Sequence, residues 1–280
     1  MPDHSNFVTG AWLAERLGDA HIAIIDGSWY LPAMQRDPEA EYRAGHIPGA
    51  VRFDIDSVRD VTSPLPHMLP TPDAFARAVG ALGIGDDTTV VIYDGAGLFS
   101  APRVWWTFRI FGARKVFVLA GGMPQWKAEG RPLSQAIPTP KPRSFTARFN
   151  ADAVTDSAGV AATIAAHAAQ VVDARPADRF RGETPEPRPG VRSGHIPGSF
   201  NVPASAVVSG TGLKTPDDIR ATFAAAGVDL ARPVVTSCGS GVTAAILALA
   251  LAESGVAIKA LYDGSWADWG SRDALPVATG

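Results

Sequence analysis

Residues Thr71–Gly97 read TPDAFARAVGALGIGDDTTVVIYDGAG, and Thr215–Gly241 read TPDDIRATFAAAGVDLARPVVTSCGSG, 144 positions later without a gap. Working outward, GHIPGA at Gly45–Ala50 recurs as GHIPGS at Gly194–Ser199, and IIDGSW at Ile24–Trp29 has a counterpart in VVDARP at Val171–Pro176. AGGMPQW at Ala120–Trp126 resembles YDGSWADW at Tyr262–Trp269. A self-similar chain of this period is a tandem duplication, here of two domains of about 140 residues each. We expect a first domain over residues 1–136, a linker over 137–150 and a second domain over 151–280. The linker holds the proline-rich Ile137–Ser144, IPTPKPRS, which lacks hydrophobic periodicity and suits a semi-rigid spacer. Within each half, VVIYD and VVTSC read as buried strands, while Ala101–Gly112 and Val242–Gly255 read as helices, the second stopped by Gly255. Short apolar strands alternating with helices predict α/β domains, each a parallel sheet flanked by helices on both faces, with a cleft between the two.

Composition narrows the function classes. Of the 280 residues, 46% are hydrophobic and 19% charged, the balance of a folded globular protein. A net charge of −3 makes no field that would gather nucleic acid or an anionic membrane. The N-terminus, MPDHSNFVTGAWLAERLGD, lacks the basic and apolar regions of a secretory signal. The longest apolar stretch, Ala244–Ala252, is far too short to span a bilayer. A single cysteine forms no internal disulfide, so the expected compartment is the cytoplasm.

Duplication also separates fold from chemistry. A residue type kept in both halves serves the shared fold, whereas one found in a single half is a candidate for function. His46 and His195 both sit in GHIPG and are expected to hold a turn. Cys238 is unique, and its counterpart in the first half is Asp94. It follows a strand and heads the loop Cys238-Gly239-Ser240-Gly241-Val242-Thr243, after which a helix begins. Two glycines let the backbone curl so that successive N–H groups aim at one centre, and the helix start adds further donors. A sulfur in such a cradle is stabilised as the reactive anion. A lone cysteine is more often a small inert hydrophobe. Here the substitution by Asp94 in the first half means the cysteine is not required for packing.

CGSGVT, the duplicated halves and the paired GHIPG resemble the rhodanese-type sulfurtransferases, and within them the branch that takes sulfur from 3-mercaptopyruvate. DGSWYLP (Asp26–Pro32), FDID (Phe53–Asp56), HMLP (His67–Pro70) and RVWW (Arg103–Trp106) are similar as well, so the resemblance covers nearly the whole chain. It implies two tandem rhodanese-like domains, the first lacking the cysteine, with Cys238 as nucleophile and the loop residues Gly239, Gly241, Val242 and Thr243 around the substrate.

Loop charge bears on the donor. Members that use thiosulfate, a dianion, carry basic side chains just after the cysteine, where this chain has the neutral Gly239 and Ser240. A site without that added charge suits a monoanionic donor such as 3-mercaptopyruvate better. Arg179 in DRFRG and Arg188 in PEPRPG match positions the family uses for substrate. Their first-half counterparts are Tyr30 and Glu39, so both arginines belong to the half with the cysteine. A guanidinium fork fits a carboxylate. Arg175 and Arg181 are decoys from the same stretch.

The resemblance further implies a proton relay, in which Asp56 orients His67 and His67 exchanges protons with Ser240 beside the sulfur; Asp54 is the alternative to Asp56. The implied cycle is ping-pong. Cys238 takes sulfur from the donor as a persulfide, pyruvate leaves, and cyanide, a small thiol or a thioredoxin-like protein removes the outer sulfur. No metal or organic cofactor is called for.

Other readings make different demands. A cysteine phosphatase or arsenate reductase needs an arginine six positions after the cysteine, where Ala244 stands. Gly239-Ser240-Gly241-Val242-Thr243-Ala244 satisfies GxGxxA after a strand, but that fingerprint opens its domain, and both copies here come late. A thiosulfate:cyanide sulfurtransferase, or a non-catalytic sulfur carrier, stays open at this level, and turnover with a donor separates them.

Overall fold

The computed structural model describes residues 5–280, so the first four positions of the domain expected over 1–136 lie outside the described residues. The chain divides into two compact units. One runs to Asp60 and takes in Leu69–Asn150 and Gly210–Gly212; the other comprises Val61–Met68, Ala151–Ser209 and Leu213–Gly280.

In the first unit, chain order gives β1 (Phe7–Val8), α1 (Gly10–Ala14), β2 (Ile22–Asp26), α2 (Pro38–Ala44), β3 (Val51–Arg52), α3 (Pro72–Ala81), β4 (Thr89–Tyr93), α4 (Ala101–Ile110), β5 (Val116–Leu119) and α5 (Gly122–Ala128). The sheet order is β1-β5-β4-β2-β3, and every pairing is parallel. Side chains alternate across a strand, so the central strands bury both faces. Ile24, Val91, Tyr93 and Leu119 join Leu13 and Trp126 of α1 and α5 in one core. Ile25, Val90, Ile92 and Val118 are equally buried and project the other way, where Val104 of α4 meets Ile92 across Gly27. An aromatic cluster of Phe53, Phe75, Phe108 and Phe111 fills that second layer.

The second half of the chain repeats this plan and adds one ribbon: β6 (Val154–Thr155), α6 (Ser157–Ala165), β7 (Gln170–Asp173), α7 (Ala177–Phe180), β8 (Phe200–Asn201), the ribbon of β9 (Val208–Ser209) with β10 (Gly212–Leu213), α8 (Pro216–Ala225), β11 (Val234–Ser237), α9 (Ala244–Glu253), β12 (Ala260–Tyr262) and α10 (Ser265–Trp269). Its sheet, β6-β12-β11-β7-β8, is also wholly parallel and has the same order strand for strand. Local sequence explains the match. Thr71 and Thr215 each cap the helix that follows, their hydroxyls accepting the N–H of Ala74 and Asp218, with proline at the first helical position.

Both GHIPG histidines hold turns. His46 Nδ1–H donates to Tyr42 O and His195 Nδ1–H to Phe180 O, each at 2.8 Å, and each ring stacks on the aromatic residue it bonds. Through paired backbone bonds, His46 ties down Ser134 and His195 ties down Ala278, so each motif pins the end of its own repeat. The segment expected as a linker is bound along the first unit. Arg143 N–H donates to Gly80 O, Arg148 N–H to Phe111 O and Asn150 N–H to Ile110 O, and Phe145 packs edge-on against Phe75. No helix among the described residues is long and apolar enough to cross a membrane.

Candidate active site

β11 ends at Ser237, and the chain then turns through Cys238–Thr243 before α9 begins. Gly241 has φ +76°, the left-handed conformation this turn requires and glycine adopts without strain. Cys238 is 1% exposed and Ser240 6%. Three bonds hold the loop against α10: Cys238 N–H donates to Ser265 Oγ at 3.1 Å, Trp266 N–H to Cys238 O at 2.9 Å, and Ala267 N–H to Gly239 O at 2.9 Å. Ser265 Oγ in turn donates to Tyr262 O at 2.7 Å.

The corresponding loop of the first unit holds a carboxylate. Asp94, fully buried, takes the place of Cys238. Its Oδ1 accepts the N–H of Ala96 at 2.9 Å, and its Oδ2 accepts those of Phe99, Ser100 and Ala101 at 2.7, 2.9 and 2.8 Å. Four amides thus converge on one negative group at the start of α4, an arrangement that stabilises an anion. Met123 N–H donates to Asp94 O at 3.0 Å, as Trp266 N–H does to Cys238 O. The two loops share this carbonyl contact and a left-handed glycine, Gly97 and Gly241, and one carries a carboxylate where the other carries a thiol.

Tyr30 and Arg179, equivalent by sequence, cover equivalent glycines. A β-carbon on Gly95 would collide with the Tyr30 hydroxyl, and one on Gly239 would lie 3.3 Å from Arg179 Nη2. In the first unit Tyr30 Oη donates to Glu41 at 2.6 Å while Arg36 lies over its ring. Burial, reinforced by that bond, pushes the Tyr30 phenol well above its ordinary range, so it stays neutral. In the second unit the cover is cationic. Arg179 is held by Glu186, with Nη2 donating to Oε2 at 2.5 Å and Nε to Oε1 at 3.2 Å.

Arg175 is an internal strut. It is 1% exposed, donates twice to Asp173 through Nε and Nη2 at 2.9 and 2.6 Å, to Glu186 Oε1 at 2.9 Å and to Gly194 O at 2.9 Å, and stacks over Trp266. Burial opposes its charge, yet the two carboxylates outweigh that and raise its pKa. Arg181 pairs with Glu183 at the surface. Arg188 lies in the turn two residues beyond Glu186, where its carbonyl accepts Val191 N–H at 3.4 Å.

The remaining candidates fall in different units. His67 is buried, has φ +58°, and belongs to Val61–Met68, the first-half segment that packs as part of the unit holding Cys238. Asp56 is exposed in the other unit, where its Oδ2 accepts Trp29 Nε1–H at 2.7 Å. Asp54, its rival by sequence, is committed locally to Asp56 N–H and the Ser57 hydroxyl.

Sequence reasoning passed over Ser265 and Glu186. Ser265 carried one signal: its place in the repeat is Gly122 in the first half, and both residues have positive φ, +50° and +54°. A serine kept where glycine is comfortable points to its hydroxyl. Glu186 carried no signal beyond its nearness to Arg188.

Comparison with known proteins gives the family. Residues 9–129 and 158–272 each match the Rhodanese-like domain. The chain is 47% identical over 272 residues to the 3-mercaptopyruvate sulfurtransferase of Escherichia coli strain K12, covering 97% of both chains. It is 44% identical to that of Homo sapiens, covering 95% of this chain and 92% of the human one. The crystal structure of SseA from Escherichia coli, described with the rhodanese fold and catalytic mechanism of 3-mercaptopyruvate sulfotransferases, superposes with a TM-score of 0.86 at 45% identity, over 94% of this chain and 99% of that one.

Proposed function

Because the chain belongs to the family of rhodanese-like domain proteins, we propose that Cys238 is the sulfur-carrying nucleophile, that the Gly239–Thr243 amides cradle its anionic forms, and that Arg179 and Arg188 bind the donor's carboxylate. The activity is that of a 3-mercaptopyruvate sulfurtransferase, the name borne by relatives with 43–47% identity over nearly the full chain. The observation that carries the site assignment is Asp94, whose carboxylate collects four amides where the second unit places Cys238.

In the first half-reaction the Cys238 thiolate attacks the donor sulfur. An S–S bond forms, the donor C–S bond breaks, and its electron pair stays on the methylene carbon as the enolate of pyruvate. That carbon takes a proton and pyruvate leaves; the transferred sulfur remains as a persulfide, whose outer atom is anionic and suited to the loop amides. For the proton we assign Ser240, relayed by His67, with Asp56 orienting His67. This assignment is supported by the burial of Ser240 and His67 and by the local commitment of Asp54. In the second half-reaction a thiolate or cyanide attacks the outer sulfur, and the S–S electron pair returns to Cys238.

A small-molecule sulfur donor follows from the family. The acceptor we propose is a thiol or a thioredoxin-like protein, and the compartment the cytoplasm, a setting in which a single free cysteine stays reduced. The direct test of the activity is pyruvate release from 3-mercaptopyruvate with cyanide as acceptor. Wild type should release pyruvate with matching thiocyanate, and Cys238→Ser should release neither. Turnover by that variant would refute the assignment.

A further inference from the structure

We infer that Glu186 is a positioning residue that aims Arg179 at the Cys238 loop and thereby sets the preference for a donor bearing a carboxylate. The inference rests on the reading of Arg179 as a carboxylate-binding residue. Glu186 is not an ordinary surface partner: its side chain is 3% exposed, and both of its oxygens are engaged by arginines. Oε1 is fixed by Arg175, itself locked by Asp173 at the end of β7, by Gly194 O and by the ring of Trp266. Trp266 is the residue whose N–H holds Cys238 O. One continuous set of contacts therefore runs from the end of β7 through Arg175 and Glu186 to Arg179, and Arg179 lies against Gly239.

The geometry divides the guanidinium into two edges. Glu186 takes the Nε/Nη2 edge, with 3.2 and 2.5 Å contacts, and leaves the Nη1 amino group and the second Nη2 hydrogen. Those remaining hydrogens form the other bidentate edge, which suits one carboxylate in a fixed orientation. A long arginine without this grip would sample many rotamers, and ordering it on binding would weaken the complex. Glu186 also sets charge. Arg175 and Arg179 against Asp173 and Glu186 make a neutral group, so the cover over Gly239 offers directed hydrogen bonds with little excess positive field. A dianion such as thiosulfate responds to net field more than a monoanion does. The first unit offers the contrast: there a carboxylate, Glu41, holds Tyr30 over Gly95, and a phenol has no such second edge.

The test measures kcat and KM for 3-mercaptopyruvate and for thiosulfate in Glu186→Gln, Arg179→Ala and the double variant, with the persulfide-to-cyanide step followed separately. In Glu186→Gln the ratio of kcat/KM for 3-mercaptopyruvate over thiosulfate should fall about tenfold, mainly through KM, with the cyanide step unchanged; losing a charge-assisted bond has effects of this order. The double variant should be no worse than Arg179→Ala, because the two residues act as a unit. Equal losses with both donors would mark Glu186 as merely structural and overturn the inference. A collapse of the ratio in Arg179→Ala beside an unchanged ratio in Glu186→Gln would overturn the positioning role alone. An unchanged ratio in Arg179→Ala would overturn the carboxylate reading, and the inference with it. Should Glu186→Gln not fold, Arg179→Lys keeps the charge and removes the fork that Glu186 grips. It should show the same loss of preference, and full preference in that variant would overturn the proposal.

Discussion

Asp94 and Cys238 stand at one and the same point of two copies of a loop. Each follows the last residue of the central strand, and each backbone carbonyl accepts an amide from the first turn of the short helix after the next strand, at 3.0 Å from Met123 and 2.9 Å from Trp266. At this point Asp94 collects four amides through its carboxylate, whereas Cys238 presents sulfur.

If that carboxylate is what satisfies the first loop, removing it leaves buried amides without an acceptor. Asp94→Ala should destabilise the first unit by about 3 kcal/mol, read from its denaturant unfolding transition. Asp94→Asn, which keeps an acceptor oxygen, should lose less. Equal stability of Asp94→Ala and wild type would show that the cradle does not need its anion.

Ser265 should separate strain from hydrogen bonding. Its left-handed backbone is unfavourable for any residue with a β-carbon by roughly 1–2 kcal/mol, while its hydroxyl holds Cys238 N–H. Ser265→Ala keeps the strain and loses the bond; Ser265→Gly loses both. The glycine variant should therefore melt higher than the alanine variant, and both should form the Cys238 persulfide more slowly than wild type. An alanine variant at least as stable as the glycine one would contradict the backbone reading.

Loop charge gives a prediction on donor choice. Wild type should have the higher kcat/KM with 3-mercaptopyruvate, and Gly239→Arg combined with Ser240→Lys should move the ratio toward thiosulfate. A side chain at Gly239 would approach Arg179 Nη2, so the double substitution should also weaken binding of the carboxylate donor. A wild type that already prefers thiosulfate would sink the charge argument.

The relay is tested by coupling. His67→Ala should slow pyruvate formation and leave the Cys238 thiol open to alkylation. If Asp56 acts only by orienting His67, then Asp56→Ala with His67→Ala should be little slower than the worse single variant. Strictly multiplicative losses would remove the relay.

The fold was legible because duplication wrote it twice. The Thr-Pro helix starts, the apolar strand cores and GHIPG recur at matching positions, and each is a local signal with a local physical cause. Cys238 stood out because Asp94 replaces it in the other copy. What sequence did not carry was partner choice. Arg175 and Arg179 lie four residues apart in one charged stretch, yet burial makes one a strut and leaves the other facing Gly239. Ser265 is marked by its backbone angle, which shows in the sequence only through the glycine opposite it, Gly122. His67 belongs to the first half by number but to the second unit by packing, a long-range outcome that no local pattern records.

The central claim is that sulfur passes through Cys238, and intact-mass measurement tests it most directly. After brief exposure to 3-mercaptopyruvate without an acceptor, wild type should gain the mass of one sulfur atom, lose it on addition of cyanide, and release one equivalent of pyruvate. Cys238→Ser should gain nothing. A sulfur adduct on Cys238→Ser, or pyruvate formed by wild type with no adduct at any time, would contradict the account.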